Sequence, residues 1–181
     1  MIDRQKWIDH NFNLGIAVGW SKNIISRLDN TEILLKHYVK NLTNGQLAQR
    51  TNDHWSIKEH IGHLTDLECL WLNRFEQFEQ GLTELVAADM ANQKTEKSNH
   101  NVQDIEVLLE NFTINRQILL DKVKLFSEKT QNHMAFHPRI KTMLKPVDLL
   151  FFIAEHDNHH ITTIIEIIEK LLIQKPLKKY I

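Results

Sequence analysis

The chain has 181 residues, a length that suits one domain with a sizeable buried core. Its formal net charge is −1 with both signs interspersed, so it offers no basic face for nucleic acid and no polybasic membrane anchor. The first residues lack the apolar core of a signal peptide and no apolar run approaches the length of a membrane span, so we expect a cytoplasmic protein that binds neither nucleic acid nor membrane.

The counts of a few residue types limit the possible fold classes and the possible kinds of metal site. Cys69 is the only cysteine, which excludes an internal disulfide bond and a multi-thiolate zinc site, so any bound metal must use nitrogen and oxygen ligands. The count of 11 histidines is high for this length, and they do not form a tail tract. Low counts of glycine (5) and proline (3), with apolar residues at helical spacing, predict an all-α protein.

The N-terminal residues differ from the rest of the chain. Residues 1–20 contain tryptophans and glycines without a convincing period, and we interpret them as an arm packed on the body. The first clear helix is predicted from Ser21 to Leu42, because its apolar residues fall on one stripe and Asn44-Gly45 supplies a stop signal.

The second helix opens with a strong local signal. Ser56-Ile-Lys-Glu59 fits a capping box, in which the serine hydroxyl accepts from the N3 amide and Glu59 reaches back to the cap amide, so the helix should start at Trp55 or Ser56. His60 lies in the centre of the apolar stripe that follows, and His63 lies at its edge. Either histidine could face a metal ion held between helices, and periodicity alone does not choose between them.

A connection of about twenty residues, Gln80 to His100, is long for neighbouring antiparallel helices and suggests a crossover. The third helix is predicted to begin near Asn101, and Arg116 interrupts its apolar stripe. An arginine in such a seam is usually paired with an internal carboxylate; alternatively, Arg116, or Arg74 on the second helix, holds an anionic substrate. A second long connection, residues 127–146, could cover a site as a loop.

The last helix, predicted from Leu149 to Leu172, carries two histidines on its buried stripe. His156 and His160 occupy positions where leucine would be expected, and a buried imidazole without partners costs roughly 1–3 kcal/mol. Each could be a core residue whose nitrogens find partners. Their separation of four residues also lets both reach one ion, so this helix is interpreted as half of a metal site.

Together these elements predict a four-helix bundle with crossover topology and long connections after the second and third helices. The chain is divided into an N-terminal arm (1–20), the bundle (21–172) and a C-terminal tail (173–181).

Several motifs resemble one known family. Trp55-Ser-Ile-Lys-Glu-His-Ile-Gly-His63, followed by Leu70-Trp71 and Arg74, resembles the second-helix signature of the DinB/YfiT-like superfamily of metal-dependent enzymes. The resemblance covers about residues 20–172 and extends to Leu85-Val-Ala-Ala-Asp89, Phe112-Thr-Ile-Asn-Arg116, His137-Pro138 and Ala154-Glu-His156-Asp-Asn-His-His160. Its most specific parts are the motif that contains His156 and His160, and His63, which lies eight residues after Trp55.

The resemblance implies a metal site and a homodimer. The three metal ligands of the family correspond to His63, His156 and His160 in this sequence. His60 is then expected to pack nearby. Three neutral imidazoles leave at least one coordination position open, as in catalytic zinc sites. Such a nitrogen-rich set suits zinc or nickel, and iron or copper as alternatives.

The resemblance also implies two kinds of chemistry. Members of the superfamily are metal-dependent hydrolases by inference, or transferases that use a low-molecular-weight thiol such as bacillithiol or mycothiol. We therefore predict a low-molecular-weight-thiol S-transferase acting on a small-molecule substrate, with an ester or amide hydrolase as the alternative. A non-catalytic dimeric metal-binding or interaction module is the alternative from another class.

Two carboxylates are candidates for helping the ligands. Glu68 lies five residues after His63, and Asp157 adjoins His156. Either could orient a ligand or move a proton, and each is otherwise an ordinary carboxylate of a helix surface.

Overall fold

The computed structural model describes residues 4–52 and 54–173 as a bundle of four long helices. Short elements lie in the connections, including a small antiparallel hairpin. This architecture confirms the predicted fold class. The long helices are α1 (Ser21–Val39), α3 (Ile57–Glu79), α5 (Ile105–Lys124) and α7 (Pro146–Ile173); the short elements are α2 (Asn44–Leu47), α4 (Gln93–Lys97), α6 (Glu128–Asn132), β1 (Ala135–His137) and β2 (Thr142–Leu144).

The order of the helices around the bundle determines which faces meet. Both α1 and α3 pack against α5 and α7, so α1 and α3 occupy one diagonal and α5 and α7 the other. The chain therefore crosses the bundle between α1 and α3 and again between α5 and α7. The long connection after α3 joins two helices that pack against each other, which differs from the crossover that its length suggested. The arrangement places α3 beside α7, the two helices that carry the candidate ligands.

Local signals explain where α3 and α7 begin, whereas one end each of α1 and α5 differs from its predicted position. Ser56 caps α3 in a capping box with Glu59, as predicted. The first helix ends at Val39, three residues before the predicted end, and α5 begins at Ile105, later than expected from Asn101. The last helix begins at Pro146, where a missing amide hydrogen costs the helix nothing because the first turn has no acceptor for it.

The hairpin was not predicted. Its strands have three residues each, with Ala135 opposite Leu144 and His137 opposite Thr142. Strands this short contain too few residues to show a two-residue period, so the sequence pattern gave no signal for them. The hairpin nevertheless carries His137 and Arg139 to the wall of the candidate site.

The described part of the arm packs on the bundle. Trp7, Phe12 and Ile16 contact the apolar core cluster that includes Phe152 and Ile153 of α7. Two amides of the arm, those of Gly15 and Ile16, donate hydrogen bonds of 2.8 and 2.9 Å to Oδ1 of Asp148. The arm is thus held by both apolar packing and a buried carboxylate.

The boundaries of arm, bundle and tail stay predictions. Residues 1–3 of the predicted arm and 174–181 of the predicted tail lie outside the described residues, and Ile173 is the last residue of α7. Among the helices that are described, none combines the length and the apolar character that crossing a bilayer requires.

Candidate metal centre

Three buried histidines meet where α3 faces α7. His63 comes from α3, and His156 and His160 come from successive turns of α7. Each offers a ring nitrogen, and these three atoms lie within 4.8 Å of one another. The structure thus brings together the three residues predicted as ligands.

The distance between the two imidazoles of α7 and the protonation of all three rings fit a divalent ion. Nε2 of His156 and Nε2 of His160 are 3.2 Å apart, and two ligands of a tetrahedral ion at about 2.0–2.1 Å are separated by about 3.3–3.4 Å. Burial lowers the pKa of His63 to about 4 and that of His156 and His160 well below the usual value, so all three rings are neutral at pH 7. Neutral imidazole is the form that binds a metal.

A hydrogen-bond chain fixes the orientation of His63. Nδ1 of His63 lies 3.0 Å from Oγ1 of Thr95, and the threonine hydroxyl donates to Oδ2 of Asp66 at 2.9 Å. Because that hydroxyl has one hydrogen, it must accept from Nδ1–H of His63. The Nε2 lone pair is then left free for a ligand bond.

Asp66 is held ionised by its neighbours. Nε2 of His100 lies 2.9 Å from Oδ2 of Asp66. Burial raises the pKa of Asp66, but hydrogen bonds from His100 and Thr95 outweigh this effect and leave the pKa below its usual value. The carboxylate therefore stays charged and strengthens the chain that ends at His63.

Replacing Thr95 tests this chain. We expect Thr95→Val to lower metal affinity about 10- to 100-fold, because His63 loses the partner that fixes its tautomer. Thr95→Ser keeps a hydroxyl and should bind metal nearly as wild type. Competition titration against a chromogenic chelator measures both affinities; equal affinity of Thr95→Val and Thr95→Ser would contradict the role of the hydroxyl.

His60 supports His160 from the side away from the trio. Nδ1 of His60 lies 2.8 Å from Nδ1 of His160, while Nε2 of His160 faces His156. Burial, with a smaller effect of His63, lowers the pKa of His60 to about 3, so this contact joins two neutral rings. His60 therefore packs beside the site, as the resemblance implied.

Nδ1 of His156 has no hydrogen-bond partner among the described residues.

Gly62 makes room for His100. A Cβ added at Gly62 would lie 2.3 Å from Cγ of the His100 ring, so the ring must move if the glycine is replaced. We expect Gly62→Ala to lower the free energy of unfolding by about 1–3 kcal/mol through this overpacking, despite the better helix propensity of alanine.

Gly45 in α2 offers a matched control, because nothing lies within 4 Å of an added Cβ there. Chemical denaturation of Gly62→Ala and Gly45→Ala should therefore separate the two glycines. If the two variants had equal free energies of unfolding, the His100 ring would be able to move away from the new methyl group without measurable loss of stability.

A cavity of about 280 Å³ adjoins the three histidines. Aromatic residues border it: the ring centroid of Trp55 lies 4.7 Å from that of His63, and the ring of Trp7 lies 5.3 Å from that of His156. The cavity is lined by Trp7, Ile8, Trp55, His63, Leu67, Trp71, Arg74, Ala88, Asp89, Met90, Asn92, His137, Arg139, Phe152, His156, His159 and His160. A second cavity of about 460 Å³ shares Trp55 and His159 with it and includes His60, but none of the three candidate ligands.

The other candidate residues have different positions. Arg116 is buried and pairs with both Glu68 and Asp157, as an arginine in a bundle seam is expected to do. None of these three lines the cavity. The proton-transfer role of Glu68 and Asp157 and the substrate-binding role of Arg116 stay predictions that their positions do not favour. Arg74, by contrast, lies on the cavity wall.

Several residues of the site were missed from the sequence. Thr95, Asp66 and His100 orient His63, and Arg139 lies on the cavity wall. His137 was noted only as part of a His-Pro motif. The helical periodicity of apolar residues cannot identify such residues, because most of them lie in connections between the long helices, and the path of these connections depends on tertiary packing.

Known proteins share this fold. The sequence model of the DinB superfamily matches residues 27–164, whereas no curated protein matches the chain significantly. YfiT from Bacillus subtilis, a probable metal-dependent hydrolase with an unusual four-helix bundle topology, is 18% identical, with a TM-score of 0.73 over 90% of this chain and 93% of that chain. The mycothiol-dependent maleylpyruvate isomerase is 10% identical, with a TM-score of 0.64 over 78% of this chain and 59% of the isomerase.

At these identities the two structures show a common fold. The family match covers α3 with His63 and the part of α7 up to residue 164, which carries His156 and His160, so it includes all three candidate ligands. The fold and the family match agree with each other, and the chain belongs to the DinB superfamily.

Proposed function

We propose that this protein is a metal-dependent enzyme that transfers a low-molecular-weight thiol to a small electrophilic molecule. The observation that carries the proposal is the convergence of three neutral, buried imidazoles beside a small cavity. His63, His156 and His160 would hold a divalent ion, with zinc or nickel as the proposed metals. Such an ion deprotonates a bound thiol, or lowers the pKa of bound water to about 7, and so supplies a nucleophile near neutral pH.

The cavity supports a thiol as the nucleophile. Asp89 is the carboxylate that lines it among the described residues, and its two oxygens accept the amides of Ala91 and Gln93 at 2.9 Å each. A carboxylate held in this way is poorly placed as a general base. A thiol that becomes a thiolate on metal binding needs no further base, whereas attack by water usually depends on one. The imidazoles on the wall that are not candidate ligands, His137 and His159, each already accept a hydrogen bond from an arginine.

The aromatic residues would position the electrophile. Trp7, Trp55 and Trp71 line the cavity, and a substrate packed against them would displace water, which strengthens the electrostatic interactions inside. The volume of about 280 Å³ is near the lower end of small-molecule sites, so the proposed substrate is small.

A metal-dependent ester or amide hydrolase is the second candidate. It is favoured by the similarity to YfiT, a probable metal-dependent hydrolase whose fold matches over nearly the whole of both chains. The same three histidines would serve this reaction.

The two reactions can be separated with one protein preparation. Protein without an affinity tag is stripped with a chelator and reloaded with zinc or nickel, then given a thiol such as bacillithiol with a chloro-aromatic electrophile, and in parallel a panel of esters and amides. We expect consumption of the thiol only in the reloaded samples. Hydrolysis that needs metal but no thiol would favour the second candidate. Absence of stoichiometric metal and of both reactions would instead favour a non-catalytic module.

A further inference from the structure

We propose that Arg74 and Arg139 form a carboxylate-binding subsite in the cavity beside the three histidines, so that the substrate is a small molecule bearing a carboxylate. The identification of the bound molecule as a substrate rests on the proposed function, but the binding of a carboxylate does not.

Arg74 is a buried cation whose partners carry no charge. Its side chain is 1% exposed, its Nε donates to the carbonyl of Val86 at 3.0 Å, and its Nη1 donates to Nε2 of His137 at 3.0 Å. The third nitrogen, Nη2, has no partner among the described residues. A buried charge is normally paired, because an unpaired one loses its hydration without compensation. Arg74 therefore lacks an acceptor for one of its nitrogens and a counter-ion for its charge.

Arg139 lies near it and is also without a counter-ion. It belongs to the turn between β1 and β2, and its guanidinium carbon lies 5.3 Å from the Trp7 ring centroid and 5.8 Å from that of Phe152. Within the described chain it makes no ion pair with a carboxylate. Burial and the charge of Arg139 lower the pKa of Arg74 to about 10, as expected for two cations that repel each other.

The rest of the cavity offsets only part of this charge. Its imidazoles are neutral, and the one carboxylate among the described lining residues, Asp89, makes no ion pair with either arginine and accepts two backbone amides instead. Two formal positive charges therefore face one formal negative charge. Burial, with the charges of Arg74 and Arg139, lowers the pKa of His137 to about 3, so this ring adds no charge. An anion that enters the cavity would therefore be attracted by two guanidinium groups.

The number of free donors favours a carboxylate over a phosphoryl group. Arg74 offers one free nitrogen and Arg139 a whole guanidinium, a pair of donors that suits the two oxygens of a planar carboxylate. A phosphoryl group has more oxygens to satisfy, and the cavity of about 280 Å³ favours the smaller group.

Binding of succinate to the metal-free protein tests the subsite. Removing the metal prevents the probe from binding through it. The tryptophans of the cavity report occupancy, because Trp71 lies 5.2 Å from the guanidinium of Arg74 and Trp7 lies 5.3 Å from that of Arg139. We expect saturable quenching or enhancement of tryptophan fluorescence with succinate and none with succinamide, its uncharged analogue.

Matched variants identify the residues. We expect Arg139→Gln and Arg74→Gln each to weaken succinate binding about tenfold or more, the effect of losing one charged hydrogen-bond donor. Arg27→Gln is the control, because Arg27 pairs with Glu155 and does not line the cavity. Arg139 is only half-buried, so its variant should fold even if the Arg74 variant does not.

The proposal is overturned if wild type does not bind succinate, if succinamide binds equally well, or if Arg139→Gln binds succinate as wild type does. Tighter binding of inorganic phosphate than of succinate would overturn the assignment to carboxylates. A failure of the proposed function appears differently, as absence of metal-dependent turnover in a protein that still binds succinate through Arg139.

Discussion

Alanine at His63, His156 or His160 is expected to lower zinc affinity by a hundredfold to a thousandfold. Each substitution removes one of three nitrogens that the fold places within 4.8 Å of one another. If a histidine ligand contributes about 3 kcal/mol, as total binding free energies of structural zinc sites suggest, the loss corresponds to roughly two orders of magnitude. We expect wild type purified without an affinity tag to carry stoichiometric metal and each of these variants to lose it.

Two other histidines serve as controls. His60→Gln should lower affinity only about 10- to 100-fold, because His60 contacts the nitrogen of His160 that faces away from the trio. His37, exposed on α1, should have no effect when replaced by alanine. Elemental analysis and competition titration measure these differences. A larger effect of His60→Gln than of His63→Ala would show that His60 is a ligand and would overturn the assignment of His63.

Arg116→Met is expected to lower the free energy of unfolding by about 3–5 kcal/mol, a large part of the stability of a domain of this size. The guanidinium donates to Oε1 of Glu68 and Oδ2 of Asp157, each at 2.6 Å from one of its terminal nitrogens, and all three side chains are nearly inaccessible to water. Burial alone would lower the pKa of Arg116, but Asp157 and Glu68 reverse this and raise it. Removing the arginine leaves two carboxylates without a cation.

A triple variant separates the lost charge from lost packing. Arg116→Met combined with Glu68→Gln and Asp157→Asn removes the unpaired charges and should recover part of the stability in urea denaturation. Arg27→Met is the control, because its ion pair with Glu155 is solvent-exposed and should contribute less than about 1 kcal/mol. If Arg116→Met and Arg27→Met had equal effects, the buried cluster would not be essential to the fold.

The Arg116 cluster also explains how the helices are held in register. Arg116 of α5 binds Glu68 of α3, Asp157 of α7 and the carbonyl of Leu28 in α1. Thr31 of α1 adds a hydrogen bond of 2.8 Å to Asp157. All four long helices therefore meet at one polar cluster. Since Asp157 follows His156 directly and Glu68 lies in the same helix as His63, the cluster helps to set the relative positions of the candidate metal ligands.

Some features followed from local sequence alone. The capping box at Ser56 and Glu59 located the start of α3, because both of its hydrogen bonds form within one turn of the chain. The spacing of His156 and His160 placed both imidazoles on one face of α7, because that property depends only on helical geometry. The choice of His63 over His60 came from the family resemblance, since both lie on or beside the same buried stripe.

Other features depended on contacts between distant segments. Arg139 reaches the cavity only because a hairpin of three-residue strands folds against α7, and Thr95 orients His63 only because α4 packs on α3. The pairing of Arg116 with both Glu68 and Asp157 requires three helices to meet. The sequence by itself determined the helices, the capping box and the histidine spacing, since these arise from interactions between near neighbours. Only the tertiary structure decided which side chains complete the site, because their positions depend on how segments far apart in the chain pack together.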